Sequence, residues 1–155
     1  MENKIVTAEL TQSEKIHLSM KEIAKLVRNQ LKKEFLWCVF SVRKSTHSLR
    51  ISLLRASFEA FVPEITNMFS NGLTTKEEQV KILEYMKEKG HSQVNHYYIK
   101  TSIFYTDECK KVLQRVKELT DEYNYDNSDV QSDYFDVNFY LHLHIGEWDK
   151  PFRRV

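Results

Sequence analysis

Histidines and acids gather in one run of this chain, "YNYDNSDVQSDYFDVNFYLHLHIGEW", residues 123–148. His142 and His144 are two residues apart, and Asp136 lies further back in the same alternation. Zinc takes three or four nitrogen, sulfur or oxygen ligands that converge tetrahedrally. Two imidazoles and one acid are a partial set, the start of a metal-dependent hydrolase. His47, His91 and His96 complete it only if the fold carries them there. The competing reading is a half-buried strand. Phe135, Val137, Phe139, Leu141, Leu143 and Ile145 alternate with Tyr134, Asp136, Asn138, Tyr140, His142 and His144. A period of two over 134–145 places the acids and histidines on one face with no site required. That reading is preferred, with no metal and no cofactor expected.

Other chemistries find less support. "DNSDVQSD", residues 126–133, has Gln131 where a calcium loop of the EF-hand type needs its glycine, so it reads as an Asx-rich turn. No Gly-x-Ser-x-Gly elbow is present, and Cys38 and Cys109 stand in apolar surroundings without a basic neighbourhood. They read as buried thiols of a reducing cytosol. The expectation is a protein that is not an enzyme.

Cations have a clearer pattern. Lys21, Lys25, Arg28 and Lys32 recur at i, i+4, i+7 and i+11, one stripe along a helix. Arg43, Lys44, Arg50 and Arg55 follow within the next strands. Such a row can track phosphates, and sheet aromatics such as Tyr97, Tyr98, Tyr134 and Tyr140 can stack on unpaired bases. Against this, helix exteriors are usually charged, and strand tyrosines usually pack. No RNP, KH or zinc-finger signature accompanies the ridge. The residues assigned to a nucleic-acid or partner surface are Lys21, Lys25, Arg28, Lys32, Arg43, Lys44, Arg50, Arg55, Tyr98 and Tyr140. A rival surface is acidic: Tyr123, Tyr125, Asp126, Asp129, Asp133 and Asp136 would dock on a basic protein by mimicking nucleic-acid charge.

These residues need a scaffold, and 155 residues suffice for one core and one domain. Residues 1–60 carry 11 Lys/Arg against 6 Asp/Glu, and residues 61–155 carry 12 against 16, so two faces of opposite charge are possible. Residues 1–11 read as a polar arm. The N-terminus has no signal-peptide core, and no segment is long and apolar enough to span a membrane. A capping box at Thr11 and Glu14 opens a helix from about Gln12 to about Glu34, with Ile16, Met20, Ile23, Val27 and Leu31 facing the core. "FLWCVFSVRK" and "LRISLLRA" form a hairpin. Pro63 starts a helix that Asn71-Gly72 ends, and Thr75 and Glu78 cap another that stops at Gly90. "VNHYYIKTSIF" reads as a third strand, and Thr106 caps a helix burying Cys109, Val112, Leu113, Val116 and Leu119. The class is α+β in the order α-β-β-α-α-β-α-β, with a mostly antiparallel sheet of about four strands packed against helices.

"EIAKLVRNQLKKEF", "FSVRKSTHSLRIS", "VNHYY" and "YNYDNSDVQSDYFDVNFYLHLHIGEWDKPF" are together similar to the large polyvalent protein-associated domain, type twenty-nine. The resemblance runs over about residues 20–152, although the hairpin link "KSTHS" is shorter than is usual in the family and lacks glycine. It implies a protein of phages, plasmids or conjugative elements, acting in the bacterial cytoplasm, and brings no catalytic residues. The function expected is binding of nucleic acid, RNA ahead of DNA, or of a host-defence nucleoprotein such as a CRISPR effector. Edge strands and aromatic faces are compatible with a homodimer without requiring one.

Overall fold

The computed structural model describes residues 18–66, 75–124 and 138–155. The chain is α+β, as its patterning implies. Its elements are α1 (Met20–Glu34), β1 (Val39–Lys44), β2 (Ser48–Ala56), α2 (Lys76–Lys89), β3 (Ser92–Val94), α3 (Asp107–Asp121), β4 (Tyr140–Ile145) and β5 (Arg153–Arg154). The sheet has five strands in the order β1-β2-β4-β3, with β5 also on β2. It is mixed rather than mostly antiparallel. β1 and β2 form the expected hairpin and β3 runs antiparallel to β4, but β4 and β5 both lie parallel to β2. A parallel pair needs a long crossover, and the chain from β2 to β4 supplies one that includes α2, β3 and α3.

α1 starts later than its hydrophobic stripe suggests. Ser19 is extended (φ −71°, ψ 159°). Its hydroxyl accepts the Glu22 amide and itself donates to the Glu22 carboxylate at 3.0 Å. The helix therefore opens at its own Ser19–Glu22 cap and does not run unbroken from Gln12. Thr11, Glu14 and Ile16 lie outside the described residues. Ile23, Ala24, Val27 and Leu31 bury one face. α3 buries the five expected residues under the Thr106 cap and packs in the same core. Arg115 of α3 closes the helix layer with two bonds to Glu34 of α1, at 3.0 and 2.7 Å, and holds that carboxyl below its usual range.

Two expected elements are replaced by backbone pairings. Residues 63–66 are not helical. The segment before them is held by Tyr105 and its neighbours: Phe61 bridges Tyr105, the Val62 amide donates to the Phe104 carbonyl, and the Thr106 amide donates to Ala60. Lys87 donates to the Pro63 carbonyl. Residues 67–71 of that expected helix lie outside the described ones. The third strand ends at Val94 because Asn95 starts a turn, its Oδ1 accepting the Tyr97 amide and its carbonyl the Tyr98 amide. α2 has its full Thr75–Glu78 capping box and ends on Gly90 at φ 62°.

Asparagines secure the approach to β4. Asn124 donates to the Phe139 carbonyl at 2.9 Å and accepts its amide at 3.2 Å, while Asn138 donates to the Tyr123 carbonyl at 2.7 Å. Side-chain amides thus satisfy backbone groups where no strand is present. Phe139 is thereby fixed in the core. Residues 134–137 of the expected long strand lie outside the described ones.

After β4 the chain turns at Gly146. Gly146 has φ 64°, and a Cβ there would collide with the Gly90 carbonyl and the Phe152 amide, which are themselves hydrogen-bonded at 2.8 Å. Gly146→Ala combines left-handed strain with an unavoidable backbone clash. It is expected to destabilise the protein by about 3 kcal/mol or more, read from the midpoint of urea unfolding.

Candidate functional site

Strand alternation assigns every side chain of the sheet to one of two faces. Val42, Leu49, Ile51, Leu53, Leu141, Leu143 and Ile145 face the core shared with α1 and α3. The other face carries polar residues in register. Arg43 of β1 pairs with Arg50 of β2, which pairs with His142 of β4, giving one row across three strands. The next row is Ser41, Ser52, His144 and Gln93 of β3, and Ser48 with Tyr140 lies on the far side of the first.

Among the described residues the row is rich in cations and poor in counter-charge. Arg50 has a buried Nε with no hydrogen-bond partner among the described residues. Arg43 is largely exposed, and its Nη2 lies 3.7 Å from the Glu147 carboxylate, whose side chain is only 4% exposed. The Gly146 turn returns Glu147 to the sheet, where it also accepts the Ser52 hydroxyl at 3.1 Å. Beside them, His144 is buried, with its Nδ1 3.1 Å from Nε2 of His91 and the two rings nearly parallel. Burial, and then the Arg50 charge together with His91 and His142, push the His144 imidazole down to about 4, with Glu147 pulling the other way. His144 is therefore neutral at pH 7, and one nitrogen of the pair donates to the other.

This arrangement redistributes the residues singled out in the sequence. Arg43, Arg50, His142 and Tyr140 share the polar face. Lys44 and Arg55 have the opposite parity in their strands and leave the row. Lys21, Lys25 and Lys32 are exposed on α1, in the helix layer behind the sheet. Arg28 donates to the Val42 carbonyl at 2.9 Å and so ties α1 to the edge strand β1. Tyr98 lies in the turn after β3, 66% exposed. Tyr123 packs partly buried against the core, and burial raises its phenol. Its expected acidic-face companions Tyr125, Asp126, Asp129, Asp133 and Asp136 lie outside the described residues.

His142 and His144 share a face but not a site, since His144 is bonded to His91 and His142 is exposed. Among the described residues no three His, Cys, Asp or Glu side chains are grouped to hold a metal. Burial pushes the Cys109 thiol up to about 12 and raises that of Cys38, so neither is a thiolate at neutral pH. Sequence reasoning missed Ser52, Glu147 and Gln93, and it named His91 only as a histidine that the fold would have to carry to the strand, which it does. Ser52 and Glu147 have a faint signal, a serine inside an apolar strand and an acid directly after a glycine turn.

A family model described as Large polyvalent protein associated domain 29 matches residues 18–107, more than half of the chain, and the chain belongs to that family. No curated protein and no solved structure matches the chain. The matched span takes in Arg43, Arg50, His91, Gln93 and Tyr98 and ends as α3 begins. The resemblance seen in the sequence continues to residue 152, beyond that span.

His144 links the site to pH. Its folded pKa lies below the unfolded value of about 6.5, so the unfolded state binds the extra proton first as pH falls. Stability from this group is complete above pH 6.5 and is lost between about 6.5 and about 4, by up to about 3 kcal/mol. His144→Gln, which cannot titrate, is expected to flatten the dependence of unfolding free energy on pH in that window. A slope identical to that of the unaltered protein would refute this account.

Proposed function

We propose that this member of the large polyvalent protein associated domain 29 family is a non-enzymatic binding protein that grips phosphate groups on the polar face of its sheet. One observation carries the reading: Arg43, Arg50 and His142 stand side by side on three strands, and Glu147 is the one carboxylate in contact with them among the described residues. Like charges directly opposed across a ladder cost stability, and an unpaired buried N–H of a guanidinium adds to that cost. A bound oxyanion relieves both. Arginine suits that task because its planar fork matches phosphate oxygens in pairs.

Nucleic acid is the phosphate source that best fits the surroundings. Tyr140 lies on the same face, half exposed, and offers a ring for an unpaired base. Lys21, Lys25 and Lys32 add a secondary attraction from the helix layer. The partner in this reading is a single strand, RNA ahead of DNA, alone or within a host nucleoprotein such as a CRISPR effector. The protein would serve a phage, plasmid or conjugative element by obstructing host defence in the bacterial cytoplasm. No helix among the described residues is long and apolar enough to cross a membrane.

The test is fluorescence anisotropy of the full chain with a labelled single-stranded RNA over a series of salt concentrations. Arg43→Ala/Arg50→Ala is expected to weaken binding at least about tenfold and to reduce the salt slope by about 0.7 for each phosphate that is no longer neutralised. Lys21→Ala/Lys25→Ala/Lys32→Ala should weaken it about threefold or less. Arg50→Ala should also leave the melting temperature unchanged or higher, since it removes repulsion. Binding by the double arginine variant at full strength would sink the reading.

A further inference from the structure

Gln93 belongs to two surfaces. It is the β3 member of the second polar row, opposite His144, and it also lines a cleft of about 600 Å³ between α2 and the turns of residues 95–105. That volume falls within the roughly 300–1,000 Å³ of small-molecule sites. Ile82 and Met86 of α2 and Ile103 and Phe104 of the turns make its walls apolar. The amide side chains of Gln93 and Asn95 stand among them, and Asn95 spends its Oδ1 on the Tyr97 amide, which leaves its NH₂ as a donor.

The two adjacent tyrosines of the turn are used differently. Tyr97 packs on His96 and under the Lys117 ammonium, with ring centroids 4.3 Å apart and the ammonium 5.7 Å from the Tyr97 centroid. Tyr98 lines the cleft, is mostly exposed, and has no ring or cation partner among the described residues. A flat ligand with a hydrogen-bonding edge suits such a place: the ring covers its face, the aliphatic wall excludes water, and the amides meet its edge.

The cleft is also close to the cationic row. β3 is two strands from β2, about 10 Å at the spacing of roughly 4.8 Å between neighbours. His96, next to Asn95, lies beside the Leu141 backbone of β4, which directly precedes His142. One nucleotide unit can therefore reach from the row to the cleft. We propose that the cleft beside α2 seats one unstacked base of a single-stranded nucleic acid whose phosphate lies on the Arg43–Arg50–His142 row. This rests on the phosphate-binding reading above and adds to it a requirement for a base, and so a preference for single strands over duplexes.

Three ligands separate the two ideas: a single-stranded uridylate decamer, the same decamer with every base removed, and inorganic polyphosphate. The full chain should bind the intact decamer about tenfold more tightly than the abasic one, within the roughly 1–3 kcal/mol that stacking contributes per base. Tyr98→Ala and, separately, Gln93→Ala should erase most of that margin and leave polyphosphate binding and the salt slope unchanged. Both residues are exposed, so each variant should keep the melting temperature of the unaltered protein, and Met86→Trp, which fills the cleft, should act in the same direction. Equal affinity for intact and abasic strands, weakened equally in Arg43→Ala/Arg50→Ala, would overturn the base seat while preserving the phosphate reading. No binding of any of the three ligands would overturn both.

Discussion

The parallel pairing of β2 with β4 is the constraint on which the molecule depends. It aligns Ser48–Leu53 with Tyr140–Ile145, residue by residue, over the whole of β4. Because side chains alternate, that one register decides both faces of the sheet. Leu49 meets Leu141, Ile51 meets Leu143 and Leu53 meets Ile145 on the helix side, and all six are buried. Arg50 meets His142 and Ser52 meets His144 on the other. A slip by one residue would put arginine and histidine into the core, so burial of the aliphatic set enforces the polar set. The hairpin then adds Arg43 beside Arg50, and β3 adds Gln93 beside His144.

Holding β4 in that register falls to short polar devices at its two ends. Before it, Asn124 and Asn138 exchange bonds with the backbone at Phe139 and Tyr123. After it, Gly146 lets the chain fold back against Gly90 and Phe152, which returns Arg153 and Arg154 to β2 as a further parallel strand. The same turn delivers Glu147 to Ser52 and Arg43. The geometry that ends the strand is thus also what brings a carboxylate to the cationic row. The Ser52 hydroxyl supplies the buried hydrogen bond to Glu147, and the exposed Arg43 adds a longer, water-screened attraction to it.

Much of this was visible in the residues. α3 has its expected cap and buried positions because its apolar spacing is strict and Thr106 precedes two acids. α2 was visible through Thr75, Glu78 and Gly90, and the β1–β2 hairpin through its alternation. Two of the departures share a cause. The aromatic run from Tyr97 to Phe104 has strong strand propensity, yet Asn95 offers its backbone a turn, and local hydrogen bonding wins over propensity. The stripe from Ile16 to Leu31 resembles one long helix, yet Ser19 caps a shorter one. In both places a single polar residue interrupts an apolar pattern, and its short-range bonds to the backbone decide where the element begins or ends.

What the sequence determined by itself was local: the α+β class, the faces of α1 and α3, the hairpin, and the alternation that puts His142 and His144 on a polar side. Those follow from periods of 3.6 and 2 and from caps spanning three or four residues. What only the tertiary structure decided was which polar residues meet. Arg50 lies 92 positions from His142, and Ser52 lies 95 from Glu147. Their pairing follows from a parallel ladder closed by a long crossover. Such a ladder leaves no short-range trace in a sequence, because its register is set by burial of the opposite face and not by any turn between the strands.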